Sequence, residues 1–160
     1  MAKTRTIGVV IDDLCNKYFF DFINGLQDMS EQLDYNIIFC NSRDNNDIKF
    51  RYVNYLLDVT DGIISYGGRF ADGKTFKRLM EKGLPFVLVE ANIPDYEFNN
   101  MQIDNKSAGY RATKHLLDLG YKKIWHITGD LNYNASIDRR NGFLRAMQDY
   151  NVPLDENGVV

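Results

Sequence analysis

Cysteine is scarce in this 160-residue chain: Cys15 and Cys40 are too few for a disulfide framework and lack the CxxC spacing of a zinc or redox site. They read as reduced thiols. Basic residues are not in surplus either, with 19 Lys and Arg against 22 Asp and Glu and a net charge of −3. A chain of that balance does not itself neutralise many phosphates, so if it belongs to a DNA-binding protein, other residues touch the DNA. No apolar run approaches the length of a membrane span. The opening Met1 to Arg5 lacks the apolar core and cleavage site of a secretion signal, so the expected location is cytoplasmic, with no membrane partner. Proline is rare, at three residues, and 44% of the chain is hydrophobic, which excludes a disordered tail. The length leaves room for one ordinary domain or two small lobes.

What is present is an alternation of two periodicities, the pattern of an α/β protein with an open parallel sheet and helices on both faces. Thr6 to Ile11 is nearly all apolar and β-branched, as a strand covered on both faces should be. A helix with Phe19, Phe22, Ile23, Leu26 and Leu33 on one stripe follows. The unit repeats with strand Asn36 to Cys40, a capping loop at Asn45-Asn46-Asp47, and a helix whose stripe reads Ile48, Tyr52, Tyr55, Leu56 and Val59. Strand Gly62 to Tyr66, a helix carrying Phe76, Leu79 and Met80, and strand Phe86 to Glu90 come next. Residues 91–100, with Pro94 and several asparagines, break the rhythm before a short strand at Met101 to Ile103. These features predict a lobe over residues 1–103 and the start of a second over 104–160. In the second, a helix buries Ala108, Ala112, His115, Leu116 and Leu119, strand Ile124 to Thr128 follows, and a helix begins at Ser136 with Phe143 and Met147 inside. That lobe is expected to be cut short, because a lone parallel strand leaves backbone groups and two apolar faces uncovered.

Two enzyme signatures need weighing. Gly68 to Thr75 satisfies GxxxxGK[ST] between a strand and a helix, where Lys74 would reach phosphates and Thr75 would hold magnesium. A chance match in a chain this long is on the order of one in two hundred, and no partner strand ends in a magnesium-binding Asp at the usual remove. His115 and His126 read as packed core histidines rather than a catalytic pair. No GxSxG serine and no HExxH occurs, and no cofactor or metal is implied.

The residues just after each strand converge better, since ligands of open parallel sheets bind beyond the carboxyl ends of the strands. Asp12, Asp13, Asn41, Ser65, Tyr66, Glu90, Asp104 and the Thr128 to Arg139 segment lie there, and the first helix adds Asn16, Tyr18 and Phe19. Carboxylates and amides that pair with hydroxyls, an arginine that forks two hydrogen bonds, and rings for the flat face of a polyol make up a sugar pocket.

An ordered set of segments carries a family resemblance. It comprises Thr6-Ile7-Gly8-Val9-Val10, Asn16-Lys17-Tyr18-Phe19-Phe20 leading a helix toward Gly25, Tyr35 to Ser42, Val59-Thr60-Asp61-Gly62-Ile63-Ile64 and Leu84 to Val89. Further on come Ile103-Asp104-Asn105 with Gly109, His115-Leu116-Leu117-Asp118-Leu119-Gly120-Tyr121, Thr128-Gly129 and Arg139-Arg140-Asn141-Gly142-Phe143. Over nearly its whole length the chain resembles the effector-binding core of LacI/GalR-type bacterial transcription regulators, which shares the type I periplasmic sugar-binding fold.

The resemblance implies a role for each matching residue. Arg139 falls on the effector-clamping arginine, Tyr18 and Phe19 on the aromatic or apolar pocket wall, Glu90 on a polar position that meets a ligand hydroxyl, and Asp104 at the crossover between lobes. Lys17 departs from the proline usual before the paired aromatics. The loop after the third strand is variable in the family, which makes the P-loop match a coincidence. The implied partners are a small effector, expected to be a sugar, and operator DNA reached by a homodimer through helix-turn-helix headpieces that nothing before Ile7 could form. The effector would close two lobes, and the rest of the second lobe is expected beyond Val160. The chain is thus expected to be a switch rather than an enzyme, with a transport solute-binding protein and a P-loop nucleotide hydrolase as rival readings.

Overall fold

The computed structural model describes residues 4–66, 73–91, 93, 96–154 and 158–159. They fall into two compact units, the first reaching to Met101 and the second starting at Gln102. In unit 1 the strands β1 (Thr6–Ile11), β2 (Asn36–Asn41), β3 (Gly62–Tyr66), β4 (Phe86–Val89) and β5 (Asn100–Met101) form one parallel sheet in the order β2-β1-β3-β4-β5. Its helices are α1 (Phe20–Gln32), α2 (Asn46–Val59) and α3 (Gly73–Lys82).

Period-two side-chain placement divides the core. Val9 and Ile11 of β1 point to the face where Phe19 and, on α1, Phe22, Ile23 and Leu26 pack. Val10 points the other way, into Val53, Leu56, Phe76 and Leu79 of α2 and α3. Both faces are covered, which is why β1 reads as a continuous apolar run instead of an alternation.

Two expectations about unit 1 need correction. The last strand is Asn100–Met101, displaced from the expected Met101 to Ile103, because Leu88 and Val89 of β4 pair with Asn100 and Met101. On α2 the buried row is Lys49, Val53, Leu56 and Leu57, not the Ile48, Tyr52, Tyr55 stripe, and Tyr55 is 57% exposed. The helix is rotated so that a lysine faces inward.

Unit 2 is built on α4 (Asn105–Asp118) and α5 (Asn134–Asp149). A Cβ on Gly109 would stand 2.2 Å from the Arg139 carbonyl oxygen, and one on Gly142 would stand 2.1 Å from the Lys106 carbonyl oxygen. The two helices therefore cross backbone to backbone, and only glycine fits at these two positions. This crossing corrects the expected burial of α4: Asn105, Thr113 and Leu117 are inside, whereas Ala108, Ala112, His115, Leu116 and Leu119 are exposed. Leu117 joins Phe143, Ala146 and Met147 in a small core. The expected strand Ile124 to Thr128 is not a strand. Among the described residues its one backbone bridge is His126 to Val159, and Trp125 and Ile127 are exposed. Helix α5 begins at Asn134, two residues before the expected Ser136.

Candidate functional site

In unit 1 the chain leaves β1 toward β2 on one side and returns to β3 on the other, so the sheet reverses its winding between β1 and β3. Open α/β sheets bind ligands outside the carboxyl ends of the strands at such a point. Asp12 follows β1, and Tyr66 ends β3. Between them reaches Lys49 from the first turns of α2, its Nζ 2.7 Å from Asp12 Oδ1 and donating to the Tyr66 carbonyl at 2.9 Å. Ser42, just past β2, donates to the same Asp12 oxygen at 3.1 Å. Asp12 and Lys49 are 4% and 6% exposed, so this ion pair is buried. Asp12 Oδ2 is buried with no hydrogen-bond partner. Asp12 thus has one oxygen committed beneath the surface and the other shielded from water.

Beside this pair stands an aromatic face. Asn16 Oδ1 accepts from Tyr18 N at 3.0 Å and shapes the 3-10 turn Lys17–Phe19 that leads into α1. The turn sends Phe19 into the core, 4% exposed, and leaves Tyr18 55% exposed. Phe19 meets Tyr66 edge to face at 4.8 Å between centroids, and Tyr18 lies 5.2 Å from Phe19 and 6.4 Å from Tyr66. Burial pushes the Tyr66 phenol well above the ordinary tyrosine range, and Tyr18, Glu90 and Asp12 push it the same way. Glu90, directly after β4, is 7% exposed and sits at φ +57, a left-handed conformation that costs a non-glycine residue about 1 kcal/mol or more. Strain of that kind concentrates where a side chain is held for a purpose. Asp12, Asn16, Tyr18, Phe19 and Glu90 are therefore gathered at one end of one sheet, around Tyr66.

The two remaining candidates lie in unit 2. Asp104 caps α4, accepting from Ser107 N at 2.9 Å, and the Ser107 backbone and hydroxyl hold its carboxyl below the usual range. Arg139 is on the second turn of α5 and donates to Asn105 Oδ1 at 2.7 Å. The Gly109 crossing fixes its backbone. His126 stacks on Phe143 at 5.2 Å, and burial, then the charges of Arg139 and Arg140, lower its pKa. His115, by contrast, is exposed, so the reading of it as a core histidine does not hold. Thr128 Oγ1, Asn134 Nδ2 and Arg140 Nε are buried without hydrogen-bond partners.

Sequence reasoning placed Tyr66 among the strand-end residues of the pocket but passed over Lys49 and the contact of Ser42 with Asp12. A lysine in an amphipathic helix reads as solvated, and only the presence of Asp12 one crossover away hints otherwise. The P-loop pattern fares differently. Residues 68–72 lie outside the described residues, while Lys74 sits 4.1 Å above the Phe50 ring and Thr75 is buried. Among the described residues no group of three His, Cys, Asp or Glu side chains could hold a metal, and no helix is long and apolar enough to cross a membrane.

Residues 4–159 match the family model described as periplasmic binding proteins and sugar binding domain of LacI family. The chain is 32% identical over 155 residues to the HTH-type transcriptional regulator RegA of Clostridium saccharobutylicum, covering 96% of this chain and 46% of that protein. The crystal structure of the transcription regulator CcpA of Lactococcus lactis matches with a TM-score of 0.83 at 32% identity, over 96% of this chain and 57% of that one. A LacI family transcriptional regulator from Enterococcus faecium with bound ribose shares the fold, at a TM-score of 0.79 and 24% identity over 96% of this chain and 56% of that one. The chain spans about half the length of the curated relatives it matches. A match from residue 4 to residue 159, together with an open parallel sheet, makes the chain a member of the family of periplasmic binding proteins and LacI-family sugar-binding domains.

Proposed function

We propose that this chain is the effector-sensing core of a LacI-type transcription regulator and that its effector is a sugar. The observation that carries the reading is the face made by Tyr18, Phe19 and Tyr66 beside the buried carboxylates of Asp12 and Glu90, at the carboxyl ends of β1, β3 and β4. Aromatic rings take the C–H face of a sugar while carboxylates and amides take its hydroxyls. Tyr18 and Phe19 form the wall, Asn16 sets their turn, Glu90 accepts from a hydroxyl, and Asp12 acts from below. In unit 2, Arg139 is the forked donor and Asp104 holds the start of α4.

On this reading the protein works as a switch in the cytoplasm and performs no chemical step. The effector binds one conformation better than another, and that difference in affinity alters how a homodimer presents its headpieces to operator DNA. The relatives named as transcription regulators favour this over a transport solute-binding protein, although the family model takes in both. Calorimetric titration with a panel of pentoses, hexoses and disaccharides, D-ribose and cellobiose among them, tests it. Saturable binding of a sugar that weakens in a Tyr18→Ala variant is expected; magnesium-dependent ATP binding without sugar binding would overturn it.

A further inference from the structure

We propose that Lys49 is a positioning residue: its buried ammonium, held by Asp12 at 2.7 Å and by the Tyr66 carbonyl at 2.9 Å, sets the carboxyl ends of β1 and β3 and with them the Tyr66–Phe19–Tyr18 face. The register that pairs β1 with β3 stops at Val10 and Ser65. Beyond it no backbone ladder ties Asp12 to Tyr66, and the lysine is what spans the two. It crosses the point where the sheet reverses, which is the place an effector approaches.

Stability alone is a poor reason for such a pair. Taking an ammonium and a carboxylate out of water costs several kcal/mol per ion, and apolar replacements of similar volume are often neutral or better. Here Asp12 Oδ2 is also left buried and unpartnered, so the pair is incompletely compensated. What the ammonium provides that an apolar side chain lacks is direction. It accepts one geometry of the Asp12 carboxylate and one position of the Tyr66 main chain, and the Tyr66 ring leaves that main chain to meet Phe19 at 90°. Ser42 holds the same Asp12 oxygen from the β2 side, so the ends of three strands are tied to one group. Asp12 then acts on an effector through Lys49 and Tyr66, without touching it.

The consequence for binding rests on the sugar reading above; the geometry of the rings does not. Aromatic NMR of the 160-residue chain therefore reads the two separately. The variants are Lys49→Met and the double variant D12N/K49M, which removes both charges together and stays readable if the single variant does not fold. In the folded double variant the Phe19–Tyr66 ring cross-peaks are expected to be lost, and affinity for the best-binding sugar of the panel to fall about tenfold or more. Lys49→Arg, which keeps the charge and two donors, is expected to retain the cross-peaks. A folded double variant that keeps wild-type ring cross-peaks overturns the proposal, because the aromatic face then supports itself. Wild-type protein that binds no sugar in the panel overturns the sugar reading instead, and leaves the ring measurement to decide the role of Lys49.

Discussion

Lys49 and Glu90 are both charged residues that unit 1 buries, and they are held in different ways. Lys49 is paired, so removing it strands a buried Asp12 carboxylate. Lys49→Met should cost about 3–5 kcal/mol of unfolding free energy, the scale for breaking a buried pair from one side, whereas D12N/K49M should cost clearly less. Urea denaturation of the two variants checks this, and equal losses would contradict it. Glu90 pays in backbone strain at φ +57 and keeps its carboxylate at the strand end. Glu90→Gln keeps shape and strain and removes the charge. It should weaken sugar binding by about 1.5–3 kcal/mol, the range for hydrogen bonds to charged groups, with the melting temperature near that of the wild type. Unchanged sugar affinity in calorimetry would remove Glu90 from the site.

At the scale of elements, legibility followed the number of partners each segment has. Strands β1, β2 and β3 were readable because each sends side chains into an apolar cluster on both faces of the sheet and so spells a largely apolar run. The segment Ile124 to Thr128 spells a similar run, yet among the described residues its one bridge, at His126, leaves it without a ladder. Composition fixes what a strand wants and says nothing of whether neighbours are there. The face of α4 was misread for a related reason. Its apolar stripe predicted burial of Leu116 and Leu119, but the close crossing at Gly109 and Gly142 puts α5 against Asn105, Thr113 and Leu117. Glycines inside a helix pattern were the available signal. Gly142→Ala should force a Cβ onto backbone and destabilise unit 2 by about 1–3 kcal/mol, measurable by thermal melting, while leaving the sheet of unit 1 intact. A melt unchanged by the substitution would mean the crossing is looser than 2.1 Å from Cβ to oxygen implies. Lys74, the residue on which the P-loop pattern depends, packs on Phe50. Lys74→Ala should lose about 0.5–1 kcal/mol of stability from that contact and change no nucleotide binding. Micromolar ATP binding abolished by the substitution would revive the phosphate-loop reading.

For the whole molecule, the candidate site was legible where a residue type announces its chemistry and illegible where the chemistry lies in a partner. Tyr18, Phe19 and Glu90 stand out as rings and a carboxylate at strand ends, and in unit 1 they gather around Tyr66. Asp12 stood out for the same reason, yet its oxygens are bound or buried, a fact that only the position of Lys49 explains. In unit 2 Arg139 donates to Asn105 and is carried on a backbone that the helix crossing holds. In the proposed function one surface of unit 1, the Tyr18–Phe19–Tyr66 face, senses the ligand. A rival surface exists: an apolar groove of about 370 Å³ at the other end of the sheet, lined by Ile7, Leu26, Met29, Leu33, Tyr35 and Ile37. The most direct test is to titrate the protein with the best-binding sugar of the panel and follow the aromatic NMR signals of Tyr18, Phe19, Tyr66 and Tyr35 together. Saturable shifts are expected at Tyr18, Phe19 and Tyr66, with Tyr35 unmoved. Shifts at Tyr35 and the groove, with the Tyr18–Phe19–Tyr66 face silent, would contradict the proposed function.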